Sequence, residues 1–445
     1  MKNLFFYFLF IVGFLNMLYA KRSVDYNGTP KNKNAEIILS SETSSVLLAS
    51  YTHLISFDGL PDNTFGSVGV VSGSVVTATA SGAALQPDGK IIAVGESSSI
   101  VPNFCLVRYN TNGSVDPAFN GGIPVIGVEA TARAYAALLQ QDGKIVAVGE
   151  STIGSFCLAR YNSNGSVDPT FNGGNPVIDI TDTTFAANAA LLQPNGKIVA
   201  AGISRTGDFY FCLIRYDSNG SIDPTFNGGN PVIGAITTQG INAVVLQPNG
   251  KIVAAGDSQT GFFCLVRYNP DGSVDPTFNG GAPVIDTTGT TSTVYALLLQ
   301  PDGKIVAAGD SQTGFFCLVR YNVDGSVDTT FNGGNPVIDT TGVTQQGHAL
   351  LLQPDGKIVA VGNSQTGFFC LVRYNSDGSV DPTFNGGVPV IGAITTQVPY
   401  AALLQPDGKI ISIGQSAAGT FCLARYINPF SLTSFTASYG TVGLL

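Results

Sequence analysis

Three charged residue types recur along this chain at one spacing, and their chemistry is the first thing to weigh. A lysine closes an Asp-Gly or Asn-Gly turn at Lys90, Lys144, Lys197, Lys251, Lys304, Lys357 and Lys409. An arginine stands near the end of an apolar run at Arg108, Arg160, Arg215, Arg267, Arg320, Arg373 and Arg425. An aspartate follows eight residues later at Asp116, Asp168, Asp223, Asp275, Asp328 and Asp381. These lysines and arginines are fourteen of the sixteen basic residues beyond position 34. Such a separation suits an ion pair between a strand and its following connection, or across neighbouring units, because the guanidinium fork grips a carboxylate in a bidentate way. The other chemistry open to the set is a ring of cations that takes an acidic ligand. A structural pairing is the expectation.

Cysteine is equally regular, at Cys105, Cys157, Cys212, Cys264, Cys317, Cys370 and Cys422. Equivalent points of neighbouring units lie beyond the ~7 Å Cα separation that a disulfide tolerates. Each thiol sits between Phe and Leu, which reads as a small buried hydrophobe rather than a nucleophile. Metal sites need Cys or His at short spacing, and the chain has only two histidines, His53 and His348. His348, in QQGHALLLQ, reads as an exposed or capping residue. The turns Asn269-Pro-Asp271-Gly272-Ser273-Val-Asp275 and their equivalents approach a calcium loop. Arg267 stands where that loop needs its first carboxylate, and Asn112, Asn164 and Asn219 weaken the third position in the earlier copies. No cofactor is therefore expected, calcium included. No G-x-S-x-G, H-E-x-x-H or phosphate-binding glycine motif is present. Near-identical repeats also promise none of the asymmetry a catalytic pore needs, so the chain reads as a non-enzyme.

The elements that carry these residues are strands. The repeat lysines are 54, 53, 54, 53, 53 and 52 residues apart, a period that means a solenoid, a propeller or an array. In each copy ALLLQ, KIVAAG and FFCLVRY are short β-rich runs divided by turn clusters, and a fourth run, PVID or PVIG, follows FNGG. Four strands in about fifty residues make a propeller blade. The fold class expected is all-β, with an open β-solenoid as runner-up. Phe119, Phe171, Phe226, Phe278, Phe331 and Phe384 read as plugs between blades, and Tyr109 and its equivalents end the last strand of each blade. Without tryptophan, a repeat-wise sugar-binding platform is disfavoured.

LQPDGKIVAAG, FCLVRYNVDGSVD and TFNGG resemble the delta-60 repeat, a bacterial propeller family of unknown biochemical function, over roughly residues 59–427. The resemblance implies the propeller fold and brings no activity. Its bacterial character also removes interest from the NGS glycosylation sequons at Asn112, Asn164 and Asn219.

Both ends of the chain bear on closure. Residues 1–20 read as a secretory signal, with Lys2, the apolar run Leu4–Leu15 and Leu18-Tyr19-Ala20 before Lys21; an uncleaved anchor is the alternative. Residues 21–34 read as a linker and 35–445 as the propeller. Within it, 66–427 hold the full repeats, and 35–65 form a degenerate part-blade with strands at Glu36–Leu39, Val46–Ser50 and His53–Phe57. A closing strand within 434–445, at Thr441–Leu445, would complete an eighth, composite blade and hide the sheet edge. Seven blades with two loose ends is the alternative.

A formal net charge of −9 argues against nucleic acid or anionic membrane as partners. No spanning segment follows the signal, and a monomer is expected in the cell envelope or outside the cell. Variation between copies falls in two loop sets. One comprises Gly127–Arg133, Ile180–Ala187, Ala235–Ile241, Asp286–Val294 and Asp339–Gly347. The other comprises Glu96–Asn103, Glu150–Ser155 and Ile203–Tyr210. Loops carry function more often than scaffold strands. The functional expectation is thus a binding or scaffold module for an envelope or extracellular protein or glycan. A hydrolase or lyase with a pore site, or a purely structural envelope component, are the alternatives.

Overall fold

The computed structural model describes residues 59–428, apart from 206–208, 236 and 394. The strands in these residues form seven antiparallel four-stranded sheets. The first sheet runs in order through β2 (Thr77–Leu85), β3 (Ile91–Ser97), β4 (Phe104–Tyr109) and β5 (Val125–Ile126). Five more sheets, β6 to β25 within residues 131–391, repeat that order. The seventh takes three strands from the end of the described chain, β26 (Thr396–Leu404), β27 (Ile410–Ser416) and β28 (Phe421–Tyr426). Its fourth strand is β1 (Val70–Ser72), with Val70 opposite Ala424 and Ser72 opposite Cys422. Helix among the described residues is limited to 3₁₀ turns at Asn120–Gly122 and its five equivalents. There Asn120, Gly121 and Gly122 all have positive φ, at 50°, 67° and 78°, which is why the repeat spells Asn-Gly-Gly.

Blades stack through cores that alternate with them around the ring. Ile92, Val94 and Leu106 of the first blade meet Ile145, Cys157 and Tyr161 of the second. Leu403, Ile411 and Leu423 of the seventh meet Ile91, Cys105 and Tyr109 of the first in the same way. The ring therefore closes at seven blades, the smaller of the two expected counts. A composite blade exists, but it is the seventh. Val70–Ser72 covers the edge of β28, and the first and seventh blades pack directly together, so no gap is left for an eighth. The strands expected at 36–57 and 441–445 lie outside the described residues.

The strand phase also needs correction. Val125–Ile126 pairs with the preceding β4, so the PVI run is the outer strand of its own blade and not the first strand of the next. The run ending in Tyr109 is accordingly third in its blade, and ALLLQ is innermost. The inner strands are longer than the apolar run suggested, nine residues in β2, and take in part of the first loop set.

Candidate binding face and central channel

The two ends of the propeller differ in kind. At one end lie the DGK turns and the turns after the third strands. Here Asp168 Oδ2 lies 3.1 Å from Lys144 Nζ and 2.6 Å from Arg160 Nε, and the other blades repeat the arrangement, with Asp116 at 3.0 Å from Lys90 and 2.6 Å from Arg108. Each Arg also stacks on the repeat phenylalanine, Arg160 over Phe171 at 4.7 Å. Each then reaches one blade on. Arg108, Arg160, Arg215, Arg267 and Arg320 donate to the carbonyls of Ser163, Ser218, Pro270, Val323 and Ser376. Arg373 donates to Asn428 Oδ1 at 2.7 Å, and Arg425 returns to the Thr111 carbonyl of the first blade.

Burial alone would raise the Asp168 carboxyl. Hydrogen bonds from the Thr170 amide and hydroxyl, from Lys144 and from Arg160 outweigh it and hold the group well below the usual carboxylate range. The geometry makes this set a latch within and between blades, with the cations already occupied by carboxylates and carbonyls. The aspartate of the seventh blade escaped the sequence pattern because it lies near the start of the described chain. Asp62 stands 2.9 Å from Lys409 and 2.8 Å from Arg425, whose guanidinium covers Phe65 at 4.6 Å.

Other sequence-marked residues are structural in their surroundings. The cysteines are all buried and unpaired, and burial pushes the Cys105 thiol up to about 12. In the would-be calcium turn, Asp271 Oδ1 accepts from the Ser273 amide at 2.9 Å and Asp275 Oδ2 is held by Lys251 at 2.7 Å. Among the described residues no group of three or more His, Cys, Asp or Glu is arranged to hold a metal. Residue 53 lies outside them.

The opposite end gathers both variable loop sets, because the inner strand begins there and the second strand ends there. The loops pair in each blade: Ser98 N donates to Val76 O, Thr152 N to Ala130 O and Gln312 N to Thr290 O. Beneath them the Oγ1 of Thr77, Thr131, Thr184, Thr238, Thr291, Thr344 or Thr396 accepts the first N–H of the neighbouring blade's third strand. That threonine joint fixes the blades while leaving the loops above free to differ. Several loop residues of the first three blades are apolar and exposed, including Val75, Ile100, Ile153, Ile180 and Phe209.

The inner strands also place one unlike residue per blade at the channel. Ala80 pairs with Gly95 and Gly82 with Val94, which leaves Ser81 as an unpaired bulge residue. The same shift singles out Tyr135, Asn242, Tyr295, His348 and Tyr400, and Asn188 precedes its short strand at the equivalent place. A bulge re-aims a side chain. Ser81, Tyr135, Asn242, Tyr295 and His348, with Asn188 at the equivalent place, line the central channel. The bulge needs glycine opposite: a Cβ on Gly95 would lie 1.8 Å from the Thr79 carbonyl, and one on Gly309 1.8 Å from that of Thr293.

His348 is thus not the exposed or capping residue expected. Its ring lies between those of Tyr295 and Tyr400, at centroid distances of 4.7 and 5.5 Å. Burial pushes its pKa down to about 4, against the pull of the Asn363 side chain. Beside it, Tyr295 Oη accepts from Gln346 Nε2 at 3.2 Å, and Asp310 Oδ1 accepts the Thr293 amide at 3.0 Å. Burial first, and then the Asp310 charge, raise Asp257 to about 7 despite hydrogen bonds from Val294 and Thr293. In the first two blades Arg133 pairs with Glu96 at 2.7 Å, and Tyr135 Oη donates to Glu150 at 3.3 Å.

A family model described as a domain of unknown function (DUF5122) beta-propeller matches residues 86–119, 140–171, 193–226, 247–278, 300–331 and 353–384. The chain resembles that family in six of its seven repeats. No curated protein matches it in sequence. Among solved structures it is similar to the BP39L lectin from Burkholderia pseudomallei, at 14% identity and a TM-score of 0.60 over 80% of this chain and 99% of that one. It is also similar to a catalytically inactive virginiamycin B lyase from Staphylococcus aureus with quinupristin, at 10% identity and 0.56 over 81% and 98%. The WD40 propeller domain of Doa1 is similar at 10% identity and 0.53 over 80% and 95%. At such identities these likenesses carry the fold alone.

Within this repeat propeller the channel ring was the part missed from sequence. Near-identity of the repeats argues against asymmetry at the pore, yet one pore position differs between them. The signal was available. The residue nine places before each repeat lysine reads Ser, Tyr, Asn, Asn, Tyr, His, Tyr, while the next reads Gly and then Ala six times.

Proposed function

We propose that this propeller is an exported, non-enzymatic binding module that engages a protein or glycan of the envelope or the extracellular space through its variable end. One contrast carries the reading. The latch end repeats the same Lys, Arg, Asp and Phe in every blade, whereas the opposite end changes its loops, its apolar residues and its channel ring together. Packing explains the constant end, and the variable end is what remains for recognition. The exposed apolar loops of the first three blades favour a protein partner. The reading involves no resident cofactor, a single chain, and export through the signal read at residues 1–20. Among the described residues no helix is long and apolar enough to cross a membrane.

The second reading, chemistry in the channel, draws on the unlike ring around His348. Against it, His348 Nε2 makes no hydrogen bond and the ring is held neutral between two tyrosines, without the carboxylate that orients a catalytic imidazole.

The test is capture from envelope and extracellular extracts and on a glycan panel. Wild-type protein is compared with a variant carrying scrambled loops at 98–103, 151–155 and 180–183. A partner retained by wild type and lost by the variant supports the proposal; equal capture by both counts against it.

A further inference from the structure

The exposed apolar loop residues of the variable end fall on one side of the ring. Val75, Ile100, Ile153, Ile180 and Phe209 belong to loops of the first three blades, and Ile100, Ile180 and Val75 are more than four-fifths exposed. The loops after the second strands of the fourth, fifth and sixth blades read Ser-Gln-Thr-Gly instead, at 258–261, 311–314 and 364–367. No large apolar side chain is exposed in them.

Bonds between the loops join these residues into one surface. Ser98 Oγ donates to Val75 O at 2.5 Å, and Arg133 of the second blade pairs with Glu96 of the first. Arg205 of the third blade donates to the carbonyls of Ile153 and Gly154 in the second. It also pairs with Asp182 at 2.8 Å and lies 5.8 Å from the centre of the Phe185 ring, which meets Phe209 edge-on at 6.2 Å. Ala130, Asp182 and Phe209 hold positive φ, at 79°, 58° and 64°, a backbone state that costs non-glycine residues energy and gathers at binding surfaces. An apolar surface fixed in this way suits docking to a protein.

Charge selects what docks there. Among the described residues this end holds two basic side chains, Arg133 and Arg205, and both are already paired. Glu96, Glu129, Glu150 and Asp182 outnumber them on the arc, Asp286 and Asp339 add to the acidic side, and every described lysine lies in a DGK or NGK turn at the latch end. Such a field repels a second copy of this chain and an anionic lipid surface alike, and it attracts a cationic partner.

We infer that this apolar arc docks a basic, amphipathic protein segment. Its apolar side chains lie against Val75, Ile100, Ile153 and Ile180, and its lysine or arginine groups lie among the surrounding carboxylates. This rests on the reading of the variable end as the binding face and names the chemistry of the partner.

The experiment is fluorescence anisotropy of a labelled amphipathic leucine–lysine peptide titrated with the purified protein. A leucine–glutamate peptide of the same pattern and a serine–lysine peptide without the apolar face serve as counterparts. Saturable binding of the leucine–lysine peptide is expected, at least tenfold tighter than either counterpart and weaker at high salt. The Ile100→Ser, Ile153→Ser, Ile180→Ser triple variant changes exposed side chains only; it should lose at least tenfold in affinity without a lower melting temperature. Val323→Ser, at an exposed residue of the latch end, should bind as wild type does. Absence of binding, equal binding of either counterpart, full affinity in the triple variant, or binding of phosphatidylglycerol vesicles in place of the peptide would overturn the inference. If partner capture still depends on the loops, only this inference fails; if capture is indifferent to the loops, the reading beneath it fails as well.

Discussion

Asp62 and Arg425, near opposite ends of the described chain, form an ion pair at 2.8 Å. Around it Asp62 N donates to Arg425 O at 2.8 Å, Arg425 N to Gly69 O at 2.9 Å, and Arg425 NH2 to Thr64 Oγ1 at 3.0 Å. Residues 59–72 thus give the seventh blade everything that residues 112–126 give the first: carboxylate, phenylalanine and outer strand. The propeller is tied shut by its own early segment.

Removing that carboxylate should open the ring at its seam. Asp62→Ala leaves Arg425 and Lys409 without their shared partner, and breaking a buried pair in this way costs roughly 3–5 kcal/mol. Asp88→Ala, at an exposed partner of Lys90, should cost under about 1 kcal/mol. Urea unfolding of the two variants checks the contrast.

The latch predicts an acid limit. The repeat aspartates, such as Asp168 and Asp223, have folded-state pKa values depressed below the ordinary 3.8. Their stabilising contribution is therefore fully present above pH 3.8 and is lost as pH falls below it. Melting temperature should drop steeply below about pH 4, and the drop should be shallower when Asp168 and Asp223 are replaced by Asn.

Asp257 has the opposite sign. Its pKa is raised from 3.8 to about 7, so its contribution is present below pH 3.8 and is lost as pH rises through 7. Asp257→Asn should stabilise the protein at pH 8 by roughly 4 kcal/mol and change little at pH 3.5. His348, depressed from 6.5 to about 4, loses its contribution as pH falls from 6.5, so the two slopes oppose each other in between. Thermal melts of both single variants across pH 3.5–8 separate them.

Gly309→Ala tests the bulge. Its Cβ would meet the Thr293 carbonyl at 1.8 Å, so the inner strand must move or Tyr295 must leave the channel. A loss of at least about 2 kcal/mol is expected, compared by denaturant unfolding with Ala308→Gly one position earlier in the same strand.

What could be read from sequence follows from what repeats. Period, strand number and turn chemistry are enforced in every copy by packing, so ALLLQ, KIVAAG and FCLVRY announce a propeller blade. The Lys–Arg–Asp set stands out for the same reason. Strand phase was less legible because PVI lies as close in sequence to the next blade as to its own, and only hydrogen bonding to β4 decides. Asp62 and Phe65 were hidden by a permuted closure that moves one copy's connection to the other end of the chain. Tyr295 and His348 were hidden because a single bulged residue per copy looks like drift until the register shows that all seven share one place.

Recognition by the variable end is tested most directly by site-specific photo-crosslinking. A crosslinker at Ile153, an exposed loop residue of the variable end, is compared with one at Asp142, in the DGK turn of the same blade at the latch end. Both proteins are irradiated with the captured partner. A covalent adduct is expected from position 153 and none from position 142; an adduct from position 142 alone would contradict recognition by the variable end.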